Sequence, residues 1–134
     1  MIALALLGCA IDPVIDTGLL FHVVGSAPED GEDDVTEAVI PTVRFSEAVS
    51  EDACGSGSVR LDAVDENGAV LFPVDTFVTF TAADEKVELE HDIPLHRGYD
   101  YALTVRGATS TTDEGCTSLA GEVVAPFLAR FRVP

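Results

Sequence analysis

Between Glu29 and Glu37 the chain carries six acids and no base. A hard divalent cation is held by several carboxylate and carbonyl oxygens converging on one point. Glu29, Asp30, Glu32, Asp33 and Asp34 offer such carboxylates, and calcium is the ion they suit. The spacing is not that of an EF-hand loop, so the plain reading of this stretch is a solvated loop. A second acid-rich loop, residues 47–52, holds Glu47, Glu51 and Asp52. The histidines are His22, His91 and His96. His91 and His96 straddle a loop beside Asp92, with neither cysteines nor a helical His pair to complete a zinc set, and His91 reads better as the cap of a strand. Ser56 lies in Gly55-Ser56-Gly57, which lacks the two-sided spacing of a nucleophile elbow. No glycine-rich phosphate loop follows a predicted strand. The expectation is a non-enzyme without a cofactor, calcium being the one ion left open.

The elements that would position these loops are strands. In Gly98–Arg106, Tyr99, Tyr101, Leu103 and Val105 fall on one side of an extended chain, and Asp100, Ala102, Thr104 and Arg106 on the other. A period of two marks a half-buried strand. The same alternation predicts strands at Leu20–Val24, Val39–Ser46, Val59–Ala63, Ala69–Phe72, Asp75–Thr81, Val87–Glu90 and Phe127–Val133. Asp65-Glu66-Asn67-Gly68 is a hairpin signal, in which Asn-Gly supplies the positive-φ positions. Ser26–Gly31 reads as a turn cluster, Glu47–Ser58 as a loop, and Pro41 suits a strand start or an edge. No window shows a 3.6-residue period. Seven or eight short strands between turn signals predict an antiparallel β-sandwich.

With 134 residues the chain suits one domain, large enough to bury a core. Acids outnumber bases 24 to 7, for a net charge of −17, and Lys86 is the only lysine. A polyanion would be repelled, so nucleic acid is not an expected partner.

Residues 1–8 are apolar or small and lead to Cys9; the run is too short for a membrane span. Leu6-Leu7-Gly8-Cys9 resembles the bacterial lipobox, although no Lys or Arg precedes it. That resemblance implies a signal segment at 1–8, cleavage before Cys9, lipid on Cys9, and membrane attachment through it. Ala10 after the cysteine implies no inner-membrane retention, hence the outer membrane or cell surface. The alternative for 1–8 is an ordinary buried strand. Residues 9–19, with Pro13 and Gly18, form a short tether, and 20–134 form the domain.

Four patches of that domain resemble the bacterial Ig-like domain of S-layer and other surface proteins. They are Ser26–Gly31 with Val35, Val43–Val49 around Phe45-Ser46-Glu47, Leu95–Tyr101, and Asp113–Cys116 followed by Leu119-Ala120-Gly121. Ala48 stands where that family often has proline, and Gly115-Cys116 replaces its Gly-Asn pair. The resemblance implies an all-β, Ig-like antiparallel sandwich of about seven strands, used as a spacer or stalk. It marks Phe45, Glu47, Gly98 and Tyr101 as structural positions. Tyr101 would bury its ring and need a partner for its hydroxyl. The function implied is that of a lipid-anchored envelope module for spacing, adhesion or docking a protein; the alternative is a calcium- or carbohydrate-binding module using acidic loops at one end. Of the three cysteines, lipid on Cys9 leaves Cys54 and Cys116. In an Ig-type sandwich their loops lie at the same end, so a disulfide is expected outside the cytoplasm, the alternative being two buried thiols.

Overall fold

The computed structural model of the protein describes residues 21–55, 57–107 and 115–134. Among the described residues eight strands follow one another: β1 (Val23–Ala27), β2 (Thr42–Phe45), β3 (Val59–Val64), β4 (Val70–Pro73), β5 (Phe77–Thr81), β6 (Lys86–Glu90), β7 (Tyr99–Val105) and β8 (Phe127–Val133). They make two four-stranded sheets, ordered β1-β2-β6-β5 and β4-β3-β7-β8. Every pairing is antiparallel. No helix occurs among the described residues. The molecule is an all-β sandwich.

Alternation decides which side chains lie between the layers. Val43 and Phe45 of β2 and Val87 and Leu89 of β6 are buried from the first sheet. Val59, Leu61 and Ala63 of β3, Tyr101, Leu103 and Val105 of β7, and Ala129, Phe131 and Val133 of β8 meet them from the second. Removing a large aliphatic or aromatic side chain from water contributes ~1.5–3 kcal/mol, and this interlayer set is the main source of stability. On the outer face, Arg132 lies 3.1 Å from Asp100, a cross-strand ion pair between neighbouring strands.

Strand boundaries shift from the sequence expectation by a few residues, the first of them for a non-local reason. The first strand runs Val23–Ala27 instead of Leu20–Val24. Phe21 is drawn into the core, its ring centroid 5.5 Å from that of Phe45, and its carbonyl accepts the Ala125 N–H. Pairing with β2 then starts at Val23 and carries through Ser26 and Ala27, opposite Val43 and Thr42. Those two residues, expected in a turn, are strand; the cis Ala27–Pro28 bond follows. The second strand begins at Thr42, after Pro41, whose nitrogen has no hydrogen to give a ladder. In the β3–β4 hairpin only Gly68 has a positive φ, 86°. The Asp65 carboxylate accepts the Asn67 and Ala69 N–H groups, both at 2.9 Å. This side-chain capping holds a four-residue turn in which Asn67 needs no left-handed backbone.

The two ends differ. One gathers the loop after β2, the β5–β6 turn and the segment before β8. There Val49 N–H donates to Asp84 O, Ser50 N–H to Thr117 O and Leu119 N–H to Ala48 O. Cys54 and Cys116 are joined by a disulfide at this end, with Cα atoms 4.3 Å apart and both residues fully buried. Close by, a Cβ added to Gly107 would lie 2.5 Å from the Val124 carbonyl oxygen, so only glycine fits there. The other end carries the β3–β4 hairpin and the β6–β7 loop.

Candidate functional site

At that second end a groove of about 590 Å³ opens between the β4–β5 crossover and the β6–β7 loop. Its origin is topological. β4 and β5 are the outer strands of different sheets on one flank. The chain crosses between them through Val74-Asp75-Thr76, so no strand closes that flank. Val74 still donates its N–H to Leu61 O, which pins the start of the crossover to β3. The floor is made by the buried side chains of Leu95 and Tyr101, the walls by Phe72, Phe77 and Ile93. Phe77 is 53% exposed and Ile93 73%, large apolar side chains left in water at the mouth. Asp75, Asp92 and His96 are the lining residues that carry titratable side chains besides Tyr101, and no lysine or arginine lines the groove.

Tyr101 fixes one wall. Its hydroxyl accepts the His96 N–H at 2.7 Å and donates to the His96 carbonyl at 3.3 Å. Burial pushes the phenol pKa up, opposed by the His96 backbone hydrogen bond. Gly98, at φ 87°, turns the chain into β7 and donates its N–H to Val133 O. The rings of Phe72, His96 and Tyr99 meet edge to face or tilted, with centroids 5.5–6.0 Å apart. His91 ties the loop down: Nδ1 lies 2.8 Å from Ile93 O and Nε2 2.6 Å from Val39 O. Both contacts are structural, in keeping with a capping role.

The residues singled out for calcium form a turn and an edge strap. Asp30 Oδ1 accepts the Arg130 N–H at 2.8 Å, and Glu32 Oε1 accepts the Glu29 N–H at 3.0 Å. Two of the five carboxylates are thus turned to backbone amides, with Glu29, Asp33 and Asp34 exposed. Among the described residues no group of three or more His, Cys, Asp or Glu side chains is arranged to hold a metal ion. The two acid-rich loops also fail to share one end. The 29–37 loop leaves β1 after Ala27, which pairs with Thr42, whereas 47–52 leaves β2 after Phe45, which pairs with Val23. Cys9 and Ser56, with Asp113 and Glu114, lie outside the described residues.

The disulfide end brings acids together pairwise. Glu47, expected as a structural position, sits against Glu122, and Glu51 against Asp84. Both pKa values are raised from 4.5: Glu47 by desolvation first, then by the Glu122 charge, and Glu51 by its hydrogen bond to Asp84 and that residue's charge. The β5–β6 turn that delivers Asp84 has left-handed backbone at Ala82, Ala83 and Asp84, φ 54°, 57° and 66°. Side chains with a Cβ adopt this region at a cost of ~1–2 kcal/mol per residue. A carboxyl whose folded pKa is raised holds a proton that the unfolded chain has released. Stability therefore rises as pH falls through the window from the raised values down to 4.5. The expected result is a melting temperature that climbs as the pH is lowered from neutrality towards 4.5, and a flatter profile with a higher neutral-pH value in Glu47→Gln/Glu51→Gln. A parallel profile in the double variant would refute the pairing.

Sequence reasoning passed over the groove. Pro73 interrupting a strand and Ile93-Pro94 in a loop were the only local signs of it.

No protein-family model matches the sequence, and no curated protein matches it. Solved structures do. The S-layer protein rSbsC(31-844) superposes with a TM-score of 0.55 at 12% identity, over 84% of this chain and 13% of that one. The N-terminal part of the bacterial S-layer protein SbsC gives 0.55 at 13% identity, over 83% of this chain and 23% of that one. CopC from Methylosinus trichosporium OB3b gives 0.55 at 16% identity, over 83% of this chain and 90% of that one. The chain thus spans a small fraction of the S-layer proteins and nearly the whole of CopC. At these identities the likeness is one of fold: the protein has the β-sandwich fold found in S-layer domains and in CopC.

Proposed function

We propose that the protein is a non-catalytic module of a bacterial cell envelope that spaces, adheres or docks another protein. The observation that carries this reading is the Cys54–Cys116 bridge between the end loops. Such bridges persist outside the reducing cytoplasm. The S-layer neighbours support the same setting through their fold. A surface of net charge −17 keeps such a module soluble and apart from its copies. Attachment to the outer membrane through lipid on Cys9 is the finer part of the proposal and rests on Leu6-Leu7-Gly8-Cys9. The non-catalytic reading rests on the sequence, which holds no nucleophile elbow, phosphate loop or zinc-ligand spacing. Of the ligand-binding alternatives, calcium has no converged carboxylates among the described residues, and a glycan site built from both acidic loops at one end is disfavoured because those loops leave β1 and β2 at opposite ends.

Mass spectrometry of the native protein from membranes tests the proposal. The expected species begins at an acylated Cys9 and has lost two hydrogens at Cys54 and Cys116. A cytoplasmic protein with three free thiols would overturn it.

A further inference from the structure

The four outer strands of the sandwich are unequally protected. An exposed strand edge is a template for another chain, and proteins block it with covers, bulges, proline or lysine. The β8 edge is covered: Gly31 N–H donates to Arg130 O at 2.7 Å, Arg132 N–H to Glu32 O at 2.8 Å, and Val35 N–H to Arg132 O at 3.1 Å. β1 has a register shift between Val23 and Gly25, and Pro28 follows it. β4 contains Pro73 and faces a register shift between Ala63 and Val64. β5, Phe77-Val78-Thr79-Phe80-Thr81, has none of these devices. Its register against β6 is unbroken, it has no proline or charged residue, and its residues are aromatic, β-branched or threonine. Among the described residues no backbone group pairs with its outer side. The groove opens at the start of this same strand, where Phe77 forms a wall.

Charge around β5 is of one sign. Asp75 and Asp92 line the groove, Glu88 and Glu90 stand opposite Thr79 and Phe77 on β6, and Asp84 and Glu85 close its far end. Lys86 is the base on this pair of strands, and Glu88 Oε2 lies 3.6 Å from its Nζ. A second copy of a chain of net charge −17 would be repelled here. The ring cluster of Phe72, His96 and Tyr99 packs at interplanar angles of 85°, 76° and 58°. Its rings are engaged with one another and present no shared flat platform of the kind a sugar ring stacks on.

We infer that β5 binds an extended cationic segment of a partner protein, added as a further strand at the edge of the β1-β2-β6-β5 sheet, with one apolar side chain seated in the groove between Phe72, Phe77 and Ile93. In strand addition, main-chain hydrogen bonds supply affinity and side-chain pockets supply selectivity. Lysines or arginines of the added strand meet Asp75 and Asp92 at the groove, while Glu88 and Glu90, one strand further in on β6, add to the negative field. The inference rests on the docking role proposed above and names its site and partner chemistry.

The test titrates the 134-residue chain with a nine-residue probe, acetyl-(Lys-Val)₄-Lys-amide, while following backbone amides by NMR and hydrogen exchange. Two controls are a peptide with glutamate for lysine and one with proline for valine. The expected result is saturable one-to-one binding of the lysine-valine probe, at least tenfold slower exchange confined to amides of β5, and no binding of either control. Asp75→Lys/Asp92→Lys, two exposed sites, should weaken binding at least tenfold while leaving the spectrum of β7 and β8 unchanged. Equal binding of the proline peptide would reduce the effect to charge alone and overturn strand addition. So would protection at the 47–52 loop instead of β5, self-association on sedimentation, or shifts at Phe72 and Ile93 caused by a neutral oligosaccharide but not by the peptide. Failure here with an oxidised, membrane-borne chain leaves the envelope role standing. A cytoplasmic chain with free thiols removes that role whatever the peptide does.

Discussion

Reduction of the Cys54–Cys116 bridge lowers the melting temperature by on the order of 15 °C. The bridge spans 62 residues, and cross-linking a loop of that length removes about 4 kcal/mol of chain entropy from the unfolded state. For a domain of this size each kcal/mol moves the midpoint by ~4 °C. The stabilisation acts on the unfolded chain, so Cys54→Ala, Cys116→Ala and the double variant should all melt close to the reduced wild type. Their effects are non-additive because they remove one shared bond. Calorimetry with and without reductant measures the difference, and an unchanged midpoint would mean that the bridge does not form in solution. The placement makes a local effect expected as well. The bridged loops carry the Glu47–Glu122 pair and the Ser50–Thr117 hydrogen bond, and amide exchange there should accelerate first on reduction.

Replacing Tyr101 separates packing from hydrogen bonding. The residue is fully buried, and its ring stacks on Phe131 with centroids 5.7 Å apart and planes 19° apart. Truncation of a large buried ring costs ~3–5 kcal/mol, so Tyr101→Ala should unfold early in urea. Tyr101→Phe keeps the ring and removes the hydroxyl that serves both the N–H and the carbonyl of His96. Losing such contacts costs ~1–2 kcal/mol. Because Tyr101 forms the groove floor and His96 part of its lining, the phenylalanine variant should also loosen the 92–96 loop, seen as faster exchange at His96. Equal stability of wild type and Tyr101→Phe would show that the two hydrogen bonds contribute nothing net.

Much of the sandwich was legible in the sequence because strand alternation is a local property. Tyr101, Leu103 and Val105 announce one buried face, and Ala129, Phe131 and Val133 another, without reference to any distant residue. The disulfide was legible for a different reason: covalent chemistry restricts two cysteines to very few partners, and a sandwich brings their loops to one end. Element boundaries were less so. Phe21 left the first strand for a place against Phe45, and Ser26 and Ala27 entered it because Thr42 and Val43 offered partners.

What the chain determined alone was period, composition and charge: seven or eight short extended segments, an acidic surface and three cysteines. Tertiary structure decided which strands ended up at the edges, through the crossings of the chain between the sheets at β2–β3, β4–β5 and β6–β7. The β4–β5 crossover leaves a flank open, so Phe77 and Ile93 face water and Asp75 and Asp92 line one groove. It also set the 29–34 and 47–52 acids at opposite ends and paired Glu47 with Glu122. A side chain's phase along its own strand follows from nearest neighbours, whereas an edge, a groove or a carboxyl pair exists only once residues far apart in the chain are brought into register.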